Sequence, residues 1–233
     1  MLDDFSRDHA FHLLFEVDEA VALGRSALRV LDSMRSTTES HAAVLALLSI
    51  AAEKTLKLTL GLHATASLGT WPSVNKMRGY RHNIVRLDQE VTELYRTNLE
   101  RSRVPGTLAV LIEETQGDPV LQGMLEVLSN WGGEGRFIHL DELAGRPQGV
   151  ESAQLLWDET EQIILQSSPE LLRELITARG DVNPRAGVNA IMSGSVRRWW
   201  ELHVRAWMTG TIGEPAKQLS VNLGRVLEDL GEG

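Results

Sequence analysis

The chain has 233 residues, with 23 Lys and Arg against 32 Asp and Glu, a formal net charge of -9. Its 42% hydrophobic and 24% charged residues suffice to bury a core, which excludes wholesale disorder. It has no Cys, which excludes a disulfide framework, a Cys-ligated zinc and a thiol nucleophile.

Apolar residues recur at three- and four-residue spacing through almost the whole chain, so the expectation is all-α. A first helix is expected over about 6–34, with Phe11, Leu14, Phe15, Leu28, Leu31 and Met34 on its inner side. Ser36, Thr37, Thr38 and Glu39 offer caps for a second helix over about 39–63. That helix is apolar nearly all round, which marks the central member of a bundle. Residues 56–62 also alternate with period two, so a strand stays open there. Residues 64–75 contain Gly69, Pro72 and Ser73 and read as a loop. Residues 82–100 give an amphipathic helix through Ile84, Leu87, Val91, Leu94, Tyr95 and Leu99.

Pro105-Gly106 reads as the best internal boundary, and Asp118-Pro119 as a helix start, because Asp caps and Pro fits the first turn. The glycine-rich stretch 131–135 reads as a loop. Ser168-Pro169 opens a short helix ending near Gly180. Asn183-Pro184 opens one to about Gly210, and Glu214-Pro215 a terminal helix to about Leu230. Short loops favour one antiparallel helical bundle spanning 1–233, with an acidic helical insertion at about 107–172.

Charge is uneven along this bundle. Residues 76–106 carry 7 basic and 4 acidic groups, 107–172 carry 2 and 12, and 173–205 carry 6 and 3. The acidic balance disfavours broad non-specific nucleic-acid binding, yet leaves room for a local phosphate site. No apolar run reaches the ~20 residues of a membrane span. The acidic start, Met1-Leu2-Asp3-Asp4-Phe5, is unlike a secretory signal, so a cytoplasmic protein without membrane partners is expected.

Phosphate-loop, dinucleotide-fold and nucleophile-elbow motifs are absent. His9, His12 and Glu16 share one helix face and read as solvated polar groups, so no metal and no cofactor is expected. Two Arg–His arrangements stand out. Arg78, Arg81 and His82 lie at a helix start, where backbone amides and guanidinium groups attract anions. Arg197 and Arg198 precede His203 on a face-forming series, Val196, Trp200, His203 and Trp207, which should be buried. Arg198 and His203 are about 140° apart around the helix, and a bent Arg would bring both to one groove. There His203 would move protons and Arg198 would hold a phosphate, a metal-free way to cleave RNA.

The run Ala51-Ala52-Glu53-Lys54-Thr55-Leu56-Lys57-Leu58-Thr59-Leu60, followed after a loop by His82-Asn83-Ile84-Val85-Arg86-Leu87, resembles the HEPN domain family. Its members often show Ala-Ala-Glu-Lys-Ala-Leu-Lys-Ala-Leu-Leu, then His-Asp-Leu-x-x-Leu. Here Asn83 and Ile84 replace Asp and Leu, and the resemblance covers about residues 39–95. It implies a helical bundle that commonly dimerises, in toxin–antitoxin, phage-defence or RNA-processing systems. Ribonuclease members carry Arg, four to six residues, then His on a late helix at the dimer interface. Arg198 and His203 match that spacing, with Trp199 where active members usually have a polar residue.

The leading expectation is therefore a HEPN-like homodimer that cleaves or binds RNA, with Arg198 and His203 catalytic and Arg78, Arg81, His82 and Arg197 binding. An antitoxin-like protein would be its partner. A second reading is a non-catalytic interaction module using exposed tryptophans or the acidic residues 107–172, with His203 packed and Arg198 paired to Glu201. A third is a nucleotide-binding bundle using Arg78, Arg81 and His82.

Overall fold

The computed structural model describes residues 7–133, 135–145 and 152–228. Among them are eleven α-helices and no strand. They are α1 (Arg7–Ser33), α2 (Thr37–Leu68), α3 (Val74–Gly79), α4 (Ile84–Thr97), α5 (Pro105–Gln116) and α6 (Pro119–Gly132). Then come α7 (Ile138–Leu143), α8 (Ala153–Ser167), α9 (Pro169–Thr177), α10 (Ala186–Met208) and α11 (Glu214–Gly224). Single 3-10 turns lie at Leu99–Arg101, Gly135–Phe137 and Arg225–Leu227.

The helices α1 and α2 pair along their length, and α2 also touches α4, α6 and α11, as an apolar central helix should. Residues 56–62 are helical, so the period-two alternation there does not make a strand. The helix runs on to Leu68, past the expected end near 63, because Ala64 and Ala66 sustain it. It stops at Gly69, whose φ of 71° is open to glycine and whose N–H caps Thr65.

The inner face of α1 differs from expectation. Leu13, Val17, Val21, Leu28, Leu31 and Met34 are buried, whereas Phe11 and Phe15 stand in solvent, 66% and 61% exposed. The stripe continuous with Leu28 and Leu31 passes through positions 13, 17 and 21, which turns the two Phe rings outward.

Pro105 opens α5, where a boundary was expected. Ser102 donates to Thr209 Oγ1 at 2.9 Å, and the Arg103 N–H to the Thr209 carbonyl, so this corner is tied to the end of α10. Asp118 caps α6 as expected, accepting from Val120 N–H at 3.0 Å and Leu121 N–H at 3.2 Å. The acidic stretch is part of the core: Leu108, Ile112, Met124, Leu128 and Trp157 join one buried cluster with residues of α1, α2 and α10.

The other long inner helix is α10, with Met192, Val196, Trp199, Trp200, His203 and Trp207 buried. The expected aromatic face, Val196, Trp200, His203 and Trp207, is indeed interior. Among the described residues no helix is long and apolar enough to cross a membrane. The expected ends at residue 6 and at 229–230 lie outside the described residues, as do 134 and 146–151 of the acidic stretch.

Candidate functional site

Two expected Arg–His arrangements meet opposite fates. On α10, His203 is fully buried. Its Nδ1 shares a 2.7 Å hydrogen bond with the Tyr95 hydroxyl, and its ring meets Trp199 edge-on at 4.3 Å. Burial pushes its pKa down to about 3, because a charged imidazole there would lose its water. Arg198 points elsewhere. Its side chain is half exposed and lies 3.7 Å from the Asp118 carboxylate, beside the cleft between the α5–α6 turn and α10. The structure therefore does not bring Arg198 and His203 to one groove. Their offset around the helix separates an interior face from a surface one, and the guanidinium finds an acidic partner on its own side.

Arg197 is also occupied, with Nη2 2.8 Å from the Asp32 carboxylate on α1. The pairing expected between Arg198 and Glu201 does not form either; Glu201 accepts from Arg205 at 2.9 Å. Nearby, Asp88 is 3% exposed and accepts from Trp199 Nε1 at 2.7 Å and from Gln116 at 3.4 Å. Burial pushes its carboxyl up, against those two bonds. On α1, Glu16 is bonded to Lys54. Among the described residues no three His, Asp or Glu groups gather as a metal site.

The other arrangement is assembled by tertiary contacts. The turn from α3 to α4 carries Tyr80, Arg81, His82 and Asn83, and α2 grips it at two points. Lys57 Nζ donates to the Arg81 carbonyl at 3.0 Å. Glu53 Oε2 lies 2.8 Å from His82 Nδ1, while its Oε1 accepts from Lys57 at 2.6 Å. Arg81 has φ 50°, alone among the described non-glycine residues in the left-handed region. The Lys57 bond helps to hold that disfavoured backbone in place.

The far side of the turn is fixed by α4 and α6. Asn83 Oδ1 accepts from Arg86 N–H at 2.9 Å, and Ser129 Oγ from Ile84 N–H at 3.1 Å. The end of α6 comes so close that a Cβ on Gly132 would sit 3.1 Å from His82 Cβ. Arg81, His82, Asn83, Ser129 and Asn130 then line a cleft of about 420 Å³ with Gly133 and Gly135.

The His82 side chain is half exposed, and no bond is made by its Nε2 among the described residues. Arg78 and Arg81 are exposed and form no ion pair there. The corner thus offers the Arg81 guanidinium, without an ion pair among the described residues, and an imidazole held from behind by a carboxylate; Arg78, one turn earlier, is exposed but does not line the cleft. Such a set suits an anion with several acceptor oxygens.

Sequence reasoning identified Arg78, Arg81 and His82 but missed Glu53, Lys57 and Ser129 as their supports. One signal was present: Glu53 and Lys57 stand four apart on one face of a largely apolar helix, beside Lys54. Comparison with protein-family models, with curated proteins and with solved structures finds no match.

Proposed function

We propose that this chain is a HEPN-like bundle that binds RNA, or the phosphate of a nucleotide, at the corner formed by Arg78, Arg81 and His82. The carrying observation is the double grip of Glu53 and Lys57 on the Arg81–His82 turn, which sets Arg81 and His82 beside a cleft. The same bonds support the HEPN-like reading. The two segments that resemble the family, 51–60 and 82–87, bond to each other through Glu53 and His82. By that resemblance it acts as a homodimer in a defence or toxin–antitoxin setting. Cleavage by Arg198 and His203 has no support in the single chain, because the imidazole is fully buried.

The test is binding of short single-stranded RNA and of a nucleoside monophosphate to wild type and to Arg78→Ala/Arg81→Ala. The double variant should weaken RNA binding about tenfold or more and lower the salt slope by about 1–2, as lost phosphate contacts do. Equal binding by both proteins at matched salt would refute the assignment.

A second reading is a non-catalytic protein-interaction module; the packed His203 it requires is met, whereas its Arg198–Glu201 pair is not formed and of the six tryptophans only Trp71 is exposed. In that case a partner co-purifying with wild type should be lost on changing the exposed Leu172 and Ile176 of α9 to Glu.

A further inference from the structure

We infer that Glu53 is a positioning residue that makes phosphate binding at this corner depend on a proton held by His82, an inference resting on the phosphate-binding reading above. The argument begins with hydrogen-bond inventory. A carboxylate only accepts, so the 2.8 Å contact makes His82 Nδ1 the donor to Glu53. The ring's remaining nitrogen, Nε2, then has no proton in the neutral imidazole. A phosphate oxygen also only accepts, and neutral Nε2 would repel it. To serve a phosphate, Nε2 must gain a proton while Nδ1 keeps its own. The bound state is therefore an imidazolium set between Glu53 behind and the phosphate in front. Wherever the free ring is neutral, binding takes up one proton at Nε2.

The groups facing His82 fit this role. From α2 come Glu53 and Lys57, already bonded to each other at 2.6 Å, so Glu53 compensates both cations. From its own turn comes Arg81, whose carbonyl is taken by Lys57 and whose guanidinium has no ion pair among the described residues. From α4 comes the uncharged Asn83. From α6 come Ser129, Asn130 and the close backbone at Gly132, also uncharged. Lys57 acts on geometry: by holding the Arg81 carbonyl it fixes where the turn presents Arg81 and His82.

The experiment is calorimetric titration of the full chain with short single-stranded RNA at fixed salt. It is run at about pH 6 and about pH 8, on either side of the usual histidine range. Wild type should lose about tenfold or more in affinity between the two, and proton uptake should appear as a dependence on buffer ionisation heat. Glu53→Gln should bind more weakly at about pH 6 and show less than about twofold change with pH. Glu53→Asp, which keeps the carboxylate, should retain most of the slope. Arg81→Ala should bind more weakly at both pH values with the slope intact.

A structural role for Glu53 alone would lower affinity without flattening the pH profile. Wild-type binding that does not change with pH, or Glu53→Gln with the wild-type slope, overturns the inference while leaving the phosphate site standing. Failure of wild type to bind at either pH removes the phosphate reading, and this inference with it.

Discussion

At the scale of single residues, two histidines of one chain show how placement decides chemistry. His82 is half exposed with a carboxylate behind it, and His203 is sealed between Tyr95 and Trp199. The buried ring has a consequence for stability. An unfolded histidine binds its proton near pH 6.5, whereas folded His203 stays neutral down to about 3. Between those values the unfolded chain holds more protons, so stability is full above about 6.5 and falls as the pH drops toward 3. The lowered His41, desolvated against Trp157, acts in the same direction.

His203→Phe should flatten this acid slope in thermal melts. At neutral pH it should cost about 1 kcal/mol, because the Tyr95 hydroxyl loses one partner but keeps Thr59 beside it, and the unpartnered His203 Nε2 goes with the ring. An unchanged acid slope in that variant would show that His203 is not its source.

Arg81 supplies a second residue-scale prediction. Glycine tolerates a φ of 50° without the clash an L side chain meets, so Arg81→Gly should leave the melting temperature equal or higher. It should nonetheless weaken RNA binding, which separates stability from function at one position. A fall in melting temperature would mean that the Arg81 side chain itself supports the fold.

At the scale of elements, periodicity and end signals explain most of what was legible. The pairs Asp118-Pro119, Ser168-Pro169 and Glu214-Pro215 each mark a helix start within a residue. Their chemistry is local: a preset φ and a missing N–H at each Pro, joined at Asp118 by a side-chain cap. Asp118→Ala should cost about 1 kcal/mol through the lost cap, read as a lower melting temperature. Its exposed partner Arg198 should add little to that loss.

Facing was harder to read than period. Phe11 and Phe15 fit a helical stripe as well as Leu13 and Val17 do, and only packing against α2 selects between them. The buried face of α10 was readable because four bulky groups share it. Convergence of Arg198 with His203 was not, because it requires a bend that sequence spacing does not encode. The grip of Glu53 and Lys57 on the Arg81–His82 turn joins residues more than twenty positions apart, beyond any local pattern. The family resemblance rests on both segments but implies no bond between them.

At the scale of the whole molecule, a net charge of -9 coexists with a cationic corner. The acids are concentrated in 107–172, where several are matched internally, as in Glu161 with the buried Arg185 and Glu113 with Arg96. Among the described residues Arg78 and Arg81 thus have no ion pair while the molecule stays acidic. Long-range repulsion should make RNA binding weak at low salt relative to a basic protein, and the contact local.

The most direct test is histidine-selective nuclear magnetic resonance during titration with short single-stranded RNA. The seven imidazoles are few enough to assign by substitution. The account predicts that the His82 resonances shift progressively to saturation while those of His203 stay fixed. Movement of His203 with His82 unchanged, or no movement of either on saturating RNA, would contradict it.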